Sequence, residues 1–225
     1  MIIYNGIDII SVASVKIVDI QVSGIDFSQV VRQKSVSSGA VFVRNRAASR
    51  TVTVTFALLK QDRVSRQAAL DAIKSWAKTD KEYKLELAGH PDRYLMAVCT
   101  DHPSPSLRQW WEGKLRLVFS CFSDPYWIDK LEKTVSCGTS FTVLGDTEPI
   151  MTISASGTSF SLDGRTMSFS SVPSGSVIDL NNQTAYNGTS SIMQGYISTS
   201  KWLIPRTGSQ TISGSGTIRY RERWA

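Results

Sequence analysis

The chain has 225 residues and a formal net charge of +6, with 41% apolar and 20% charged residues. That composition supplies a core and excludes a wholly disordered chain. No run of about 18 apolar residues occurs, and Met1-Ile2-Ile3-Tyr4-Asn5-Gly6 has no basic stretch ahead of an apolar one, so neither a spanning helix nor a Sec-type leader is expected.

The charge is unevenly spread. Residues 1–130 carry 18 Lys and Arg against 13 Asp and Glu, whereas residues 131–225 carry 7 against 6. In the second segment 41 of 95 residues are Ser, Thr or Gly, a shift that predicts a boundary near residue 130 and domains 1–129 and 130–225. Pro125, within Ser123-Asp124-Pro125-Tyr126-Trp127, would interrupt a strand ladder just before it.

Val15–Val22 alternates well enough for a half-buried strand. The stretch from Val31 to Arg50 is rich in Ser, Gly and Arg around an apolar knot, Ala40-Val41-Phe42-Val43. It reads as a long loop or projecting hairpin, and long loops in domains of this size are commonly functional. Next, Val52, Val54, Phe56 and Leu58 share one face of a strand, with Thr51, Thr53, Thr55 and Ala57 on the other. The period then changes. Asp62 is placed to cap a helix whose stripe is Ala69, Leu70, Ile73, Trp76 and Ala77, with Lys74 and Lys78 in its last turns. It is the one convincing helix. Tyr83–Leu87 reads as a strand, Ala88–Asp92 as a turn, and Tyr94–Cys99 as an uninterrupted apolar run expected to be covered on both faces. A loop with two X-Pro bonds follows at Asp101–Ser106, then an alternating strand through Leu115, Leu117, Phe119 and Cys121.

Strands on both sides of one helix imply a mainly β fold: an N-terminal antiparallel β-sandwich with one packed α-helix and a projecting hairpin. After residue 130 turn signals come often, at Asp163-Gly164, Pro173-Ser174-Gly175, Asn187-Gly188 and Thr207-Gly208, which predicts a second, all-β sandwich.

Residues suited to catalysis are few. His90 and His102 are the only histidines, each before a proline, and no Gly-x-Ser-x-Gly elbow, Walker loop or Gly-x-Gly-x-x-Gly is present. Cys99-Thr100-Asp101-His102 has metal-like spacing without the second pair that tetrahedral zinc needs. The other cysteines, Cys121 and Cys137, make an odd, sparse set that suits core residues better than a disulfide framework. No enzyme activity, cofactor or metal is expected. Arg32, Lys34, Arg44, Arg46 and Arg50 form a basic cluster with only Phe42 nearby, a composition better matched to a solvated loop or a subunit interface than to nucleic acid. Trp110, Trp111 and Trp202 are candidate surface contacts, since indole rings anchor interfaces and stack on sugars. Trp76, on the helix stripe, reads as core.

The order of these signals resembles the distal tail protein of long, non-contractile-tailed bacteriophages. The resemblance rests on Thr51-Val52-Thr53-Val54-Thr55-Phe56 ahead of the helix ending Ile73-Lys74-Ser75-Trp76, then Tyr83–Leu87, Pro91-Asp92-Arg93-Tyr94 and Phe119-Ser120-Cys121-Phe122-Ser123-Asp124-Pro125-Tyr126. It continues through Ile178-Asp179 to Ala185-Tyr186 and through Trp202-Leu203-Ile204-Pro205 to Gly208–Ile212, where Arg206-Thr207 is a departure. The resemblance implies a virion protein at the distal end of the tail, assembled in the host cytoplasm. It implies a homo-hexameric ring of N-terminal domains with galectin-like C-terminal sandwiches outside. The implied partners are the tail-tube protein, the tail-tip hub or tail-associated protein and a receptor-binding protein. DNA would pass only through the channel, and no membrane insertion is implied. By the same resemblance Val41, Phe42, Val43, Arg44, Arg46 and Arg50 would form the subunit interface, on the hairpin by which neighbours embrace. The alternative function is a carbohydrate-binding β-sandwich module in host-surface recognition.

Overall fold

Two units divide the chain: Met1–Trp127 with Ala225, and Ile128–Trp224. The computed structural model describes all residues except 34–39, 60–61 and 102–112, and for residues 29–33 and 40–46 it describes the backbone alone. Both units are built almost wholly of antiparallel strands, and no helix among the described residues is long and apolar enough to cross a membrane.

In the first unit, β1 (Ile2–Tyr4) pairs with β2 (Ile7–Asp8), and a helical turn α1 (Ile9–Val12) follows. The Asp8 carboxylate accepts from the Ile10 N–H at 3.2 Å and starts that turn, which is too short to leave a helical period in the sequence. β3 (Val15–Val22) and β4 (Asp26–Gln33) lie in succession along one side of β5 (Ala40–Leu58). Ser23 bridges the gap between them: its N–H donates to Thr51 O, and its Oγ accepts from Thr51 N–H, both at 2.9 Å. α2 (Arg63–Ala77) begins where Asp62 accepts from Ser65 N–H at 2.8 Å. Then come β6 (Tyr83–Leu87), β7 (Arg93–Asp101) and β8 (Lys114–Cys121). The pairing runs β1 to β6, β6 to β7, β7 to β8, and β8 to the second side of β5.

Alternation decides what is buried. Val52, Val54 and Phe56 of β5, Leu115, Leu117 and Phe119 of β8, and Leu85 and Leu87 of β6 all point inward. The helix stripe closes the core: Trp76 meets Tyr4 edge-on at 5.7 Å, and Tyr4 meets Phe119 at 5.0 Å. Buried polar tips are satisfied, since Trp76 Nε1–H donates to Ile7 O at 3.0 Å and the Tyr4 hydroxyl lies 2.6 Å from Thr79 Oγ1. β7 departs from expectation. Leu95, Ala97 and Cys99 are buried, but Met96 and Val98 on the opposite face are only half-buried. An apolar run reports hydrophobicity and not whether a second layer covers the other face.

β9 (Trp127–Asp129) lies at the boundary. The second unit contains β10 (Lys133–Ser136), β11 (Ser140–Val143), β12 (Thr147–Ala155), β13 (Ser159–Leu162), β14 (Arg165–Ser168), β15 (Ser176–Asp179), β16 (Thr184–Asn187), β17 (Ser190–Ser191), β18 (Gly208–Thr211) and β19 (Gly216–Trp224). One sheet has the order β10-β19-β12-β15-β16-β17, and the pairs β11–β18 and β13–β14 supply opposing residues. Met151, Ile153, Ile178 and Ile218 from the sheet pack with Phe141, Phe160, Leu162, Met167 and Ile212. Asp163 and Gly164 both take positive φ, 50° and 72°, as a two-residue hairpin loop requires.

Candidate assembly interface

β5 changes character along its length. Residues 52–57 lie between β3 and β8 and residues 50–51 pair with β8, whereas the half from Ala40 to Ser49 pairs with β4 alone among the described residues. The stretch read as a loop or hairpin is therefore a two-stranded antiparallel ribbon, with Gln33 facing Ala40 and Asp26 facing Ser49. The register shifts between Val30 and Val31, where Arg44 and Phe42 are the facing residues, so Val43 is left without one. Of the predicted interface set, Val41, Phe42, Val43, Arg44 and Arg46 all fall on this ribbon, and their side chains lie outside the described residues.

Arg50 is described, and its setting is unlike a solvated basic cluster. It faces Cys121, the last residue of β8, and is only 4% exposed. Counting back by two from Val52 puts its side chain on the inward face of β5, a signal already present in the sequence. Among the described residues its buried Nε and Nη1 meet no acceptor. Burial pulls this guanidinium below its ordinary value. Beyond Cys121 the chain leaves the sheet under the control of Glu82, whose carboxylate accepts from Phe122 N–H at 2.6 Å and Ser123 N–H at 3.2 Å, and also from Ser123 Oγ–H.

The remaining candidates sort by location. Trp110, Trp111, His102 and Lys34 lie outside the described residues. His90 stacks on the buried Trp127, ring centroids 4.2 Å apart. Trp202 is half-buried; its Nε1–H donates to Leu180 O at 3.0 Å, and its ring packs against Tyr196 at 5.4 Å and Phe169 at 6.3 Å. Burial pushes the thiols of Cys99 and Cys121 up to about 11 and about 12, which keeps both neutral and poorly nucleophilic. Among the described residues no three metal-ligating side chains converge.

Sequence reasoning did not single out Glu222. It follows Ile218 and Tyr220 on the inward face of β19, is 1% exposed, and accepts from Lys133 Nζ at 2.5 Å. A lone carboxylate in a run of arginines reads as solvent-facing until the alternation is counted.

No family model matches the chain, and no curated protein matches it in sequence. Among solved structures, it is similar to the Dit (gp 19.1) protein of phage SPP1, a paradigm of the hub adsorption apparatus of phages that infect Gram-positive bacteria. That likeness has a TM-score of 0.73 at 15% identity over 100% of this chain and 98% of that one. The phage p2 baseplate in its activated conformation gives looser likenesses at 8% identity, with TM-scores of 0.47 in the structure with Sr and 0.49 in that with Ca, each covering 94% of this chain and 91% of the other. The chain thus has the fold of the SPP1 Dit protein across both of its units.

Proposed function

We propose that this chain is a structural virion protein of a phage tail, closing with five copies of itself into a ring at the distal end and joining the tail tube to the host-adsorption apparatus. The observation that carries this reading is the fold correspondence with a hub adsorption protein over the whole of both chains, since two differently built units would not match end to end by sharing one common module. The β4–β5 ribbon supports it. A two-stranded ribbon buries little by itself and is more stable when a neighbour covers it. A ring of identical heterologous contacts uses one patch against its complement at every junction.

In this reading the chain does no bond-making chemistry. Its partners are its own copies, the tail tube, the tail-tip hub and a receptor-binding protein, and DNA passes through the channel without sequence recognition. The sugar-binding alternative gains nothing at Trp202, whose ring is packed and whose N–H is already engaged.

Size-exclusion chromatography with light scattering, followed by negative-stain imaging, tests the reading. Six-copy annuli are expected, and a strictly monomeric particle at every concentration would overturn it. Deleting roughly residues 34–48 is expected to leave both units folded and to abolish annuli.

A further inference from the structure

The chain contains two Asn-Gly sequences, Asn5-Gly6 and Asn187-Gly188. Glycine after an asparagine leaves the next backbone nitrogen unshielded, because no Cβ stands beside it. The two are held very differently. Asn187 lies between β15 and β17, facing Ser176 on one side and Ser190 on the other. Its amide nitrogen donates to Ser174 O at 2.8 Å and to Ser176 Oγ at 3.2 Å, which fixes the side chain. Asn5 is the first residue of the two-residue loop that joins β1 to β2, with φ of 51° at Asn5 and 78° at Gly6. Both loop residues are exposed. Among the described residues the Asn5 side chain has no hydrogen-bond partner and the Gly6 N–H has no acceptor. No atom lies within 4 Å of the place a Cβ would take on Gly6. The hairpin has only two rungs, Ile3 facing Asp8 and Tyr4 facing Ile7, and β2 pairs with β1 alone among the described residues. A loop closed by so short a ladder at a sheet edge opens at small cost.

We propose that Asn5 is a self-modifying site, which deamidates through its own backbone while Asn187 is spared. When the hairpin opens, the Gly6 nitrogen gives up its proton to base in the solvent and attacks Cγ of Asn5. The new C–N bond closes a five-membered imide, and the side-chain nitrogen takes up a proton and leaves as ammonia. Water then opens the imide at either carbonyl, giving aspartate or isoaspartate at position 5. Either product adds a negative charge to the loop. Isoaspartate also inserts a methylene into the main chain, which displaces the register that a two-residue loop imposes. Tyr4 and Ile7 flank that loop. The Tyr4 ring is buried in the core and Ile7 O accepts from Trp76 Nε1, so the added length is felt at the helix stripe. The inference is independent of the ring reading.

The test incubates the full chain in mildly alkaline buffer, folded and in urea, and follows each asparagine by peptide mass spectrometry, with isoaspartate read by enzymatic methylation. In urea the two Asn-Gly sequences are expected to convert at similar rates. In the folded chain Asn187 is expected to convert at least about tenfold more slowly than Asn5, the factor that giving up its two amide hydrogen bonds demands. Isoaspartate is expected to exceed aspartate at position 5. Protection of Asn5 equal to that of Asn187 overturns the inference, since the hairpin would then be closed to the attack. Aspartate without isoaspartate also overturns it, since direct hydrolysis of the side chain would then replace the imide. Asn5→Asp carries the charge without the methylene. It is expected to unfold in urea as wild type does, whereas aged chain with isoaspartate at position 5 unfolds at a lower midpoint. Equal midpoints for the aged chain and Asn5→Asp overturn the link from the loop to the core.

Discussion

Arg50 in the first unit and Glu222 in the second occupy matching places. Each continues the inward alternation of a strand beyond its apolar residues, Val52 and Val54 in one case, Ile218 and Tyr220 in the other, and each is almost wholly buried. Glu222 has its counter-ion inside the unit, Lys133 Nζ at 2.5 Å, with Tyr220 in reach of the same ammonium at 5.8 Å. Arg50 has buried donors with no acceptor among the described residues. Burial of a charge is therefore not in itself a sign of function. What separates the two is whether the chain itself completes the pair among its described residues, and in the second unit it does.

Breaking the completed pair is expected to have the largest effect. Lys133→Met leaves a carboxylate buried with its charge uncompensated, which costs about 3 kcal/mol. Glu222→Leu leaves an ammonium that is one-third exposed and free to turn to water, and it is expected to cost under about 1 kcal/mol. Urea unfolding of the two variants measures the difference; equal costs would mean that Glu222 is hydrated and that the contrast with Arg50 fails. Trp202→Ala comes next. It removes a ring packed on Phe169 and Tyr196 and orphans the Leu180 carbonyl, for about 2 kcal/mol in the second unit alone. Loss of sugar binding with unchanged stability would instead place Trp202 in a binding site. Asp62→Ala removes the cap of α2 and is expected to cost about 1 kcal/mol in the first unit, read from its denaturation midpoint.

The smallest effect is a slope with pH. Cys99 and Cys121 ionise at about 11 and about 12 when folded, above the ordinary 9.0, so the unfolded chain releases those protons first. Their contribution is intact below about pH 9 and falls as pH rises through 9 to 12. Lys133 acts in the same direction in the second unit: Glu222 raises it above its ordinary 10.5, and that contribution is lost above pH 10.5. Thermal midpoints from pH 8 to 11 should decline, and Cys99→Ala with Cys121→Ala should flatten the decline in the first unit.

Much of this fold is legible from periodicity. Val52–Leu58, Leu115–Cys121 and the stripe Leu70, Ile73, Trp76 and Ala77 are buried where alternation or helical spacing puts them, because a repeating physical cause leaves a repeating trace. Asp163-Gly164 is legible for a different reason, since few residues tolerate the backbone that its turn demands. What was not legible depends on non-local pairing. Met96 and Val98 carry no mark saying that their face is only half covered. The pairing of Ser28 with Arg46 or Val31 with Phe42 joins residues of a Ser- and Arg-rich stretch in which no hydrophobic pattern fixes a register. Arg50 was visible as part of a basic cluster, but its burial follows only from extending the count back from Val52, and the lack of an acceptor is a property of the folded chain.

β5 also has a mechanical consequence. It runs for 19 residues, roughly 60 Å of extended chain, from ribbon into core without a break. A pull on the ribbon along that axis is borne by the rungs to β3 and β8 together, in shear, and not one at a time as in peeling. A load applied to the ribbon would thus reach the hydrophobic interior directly, making this strand a tendon as well as a scaffold.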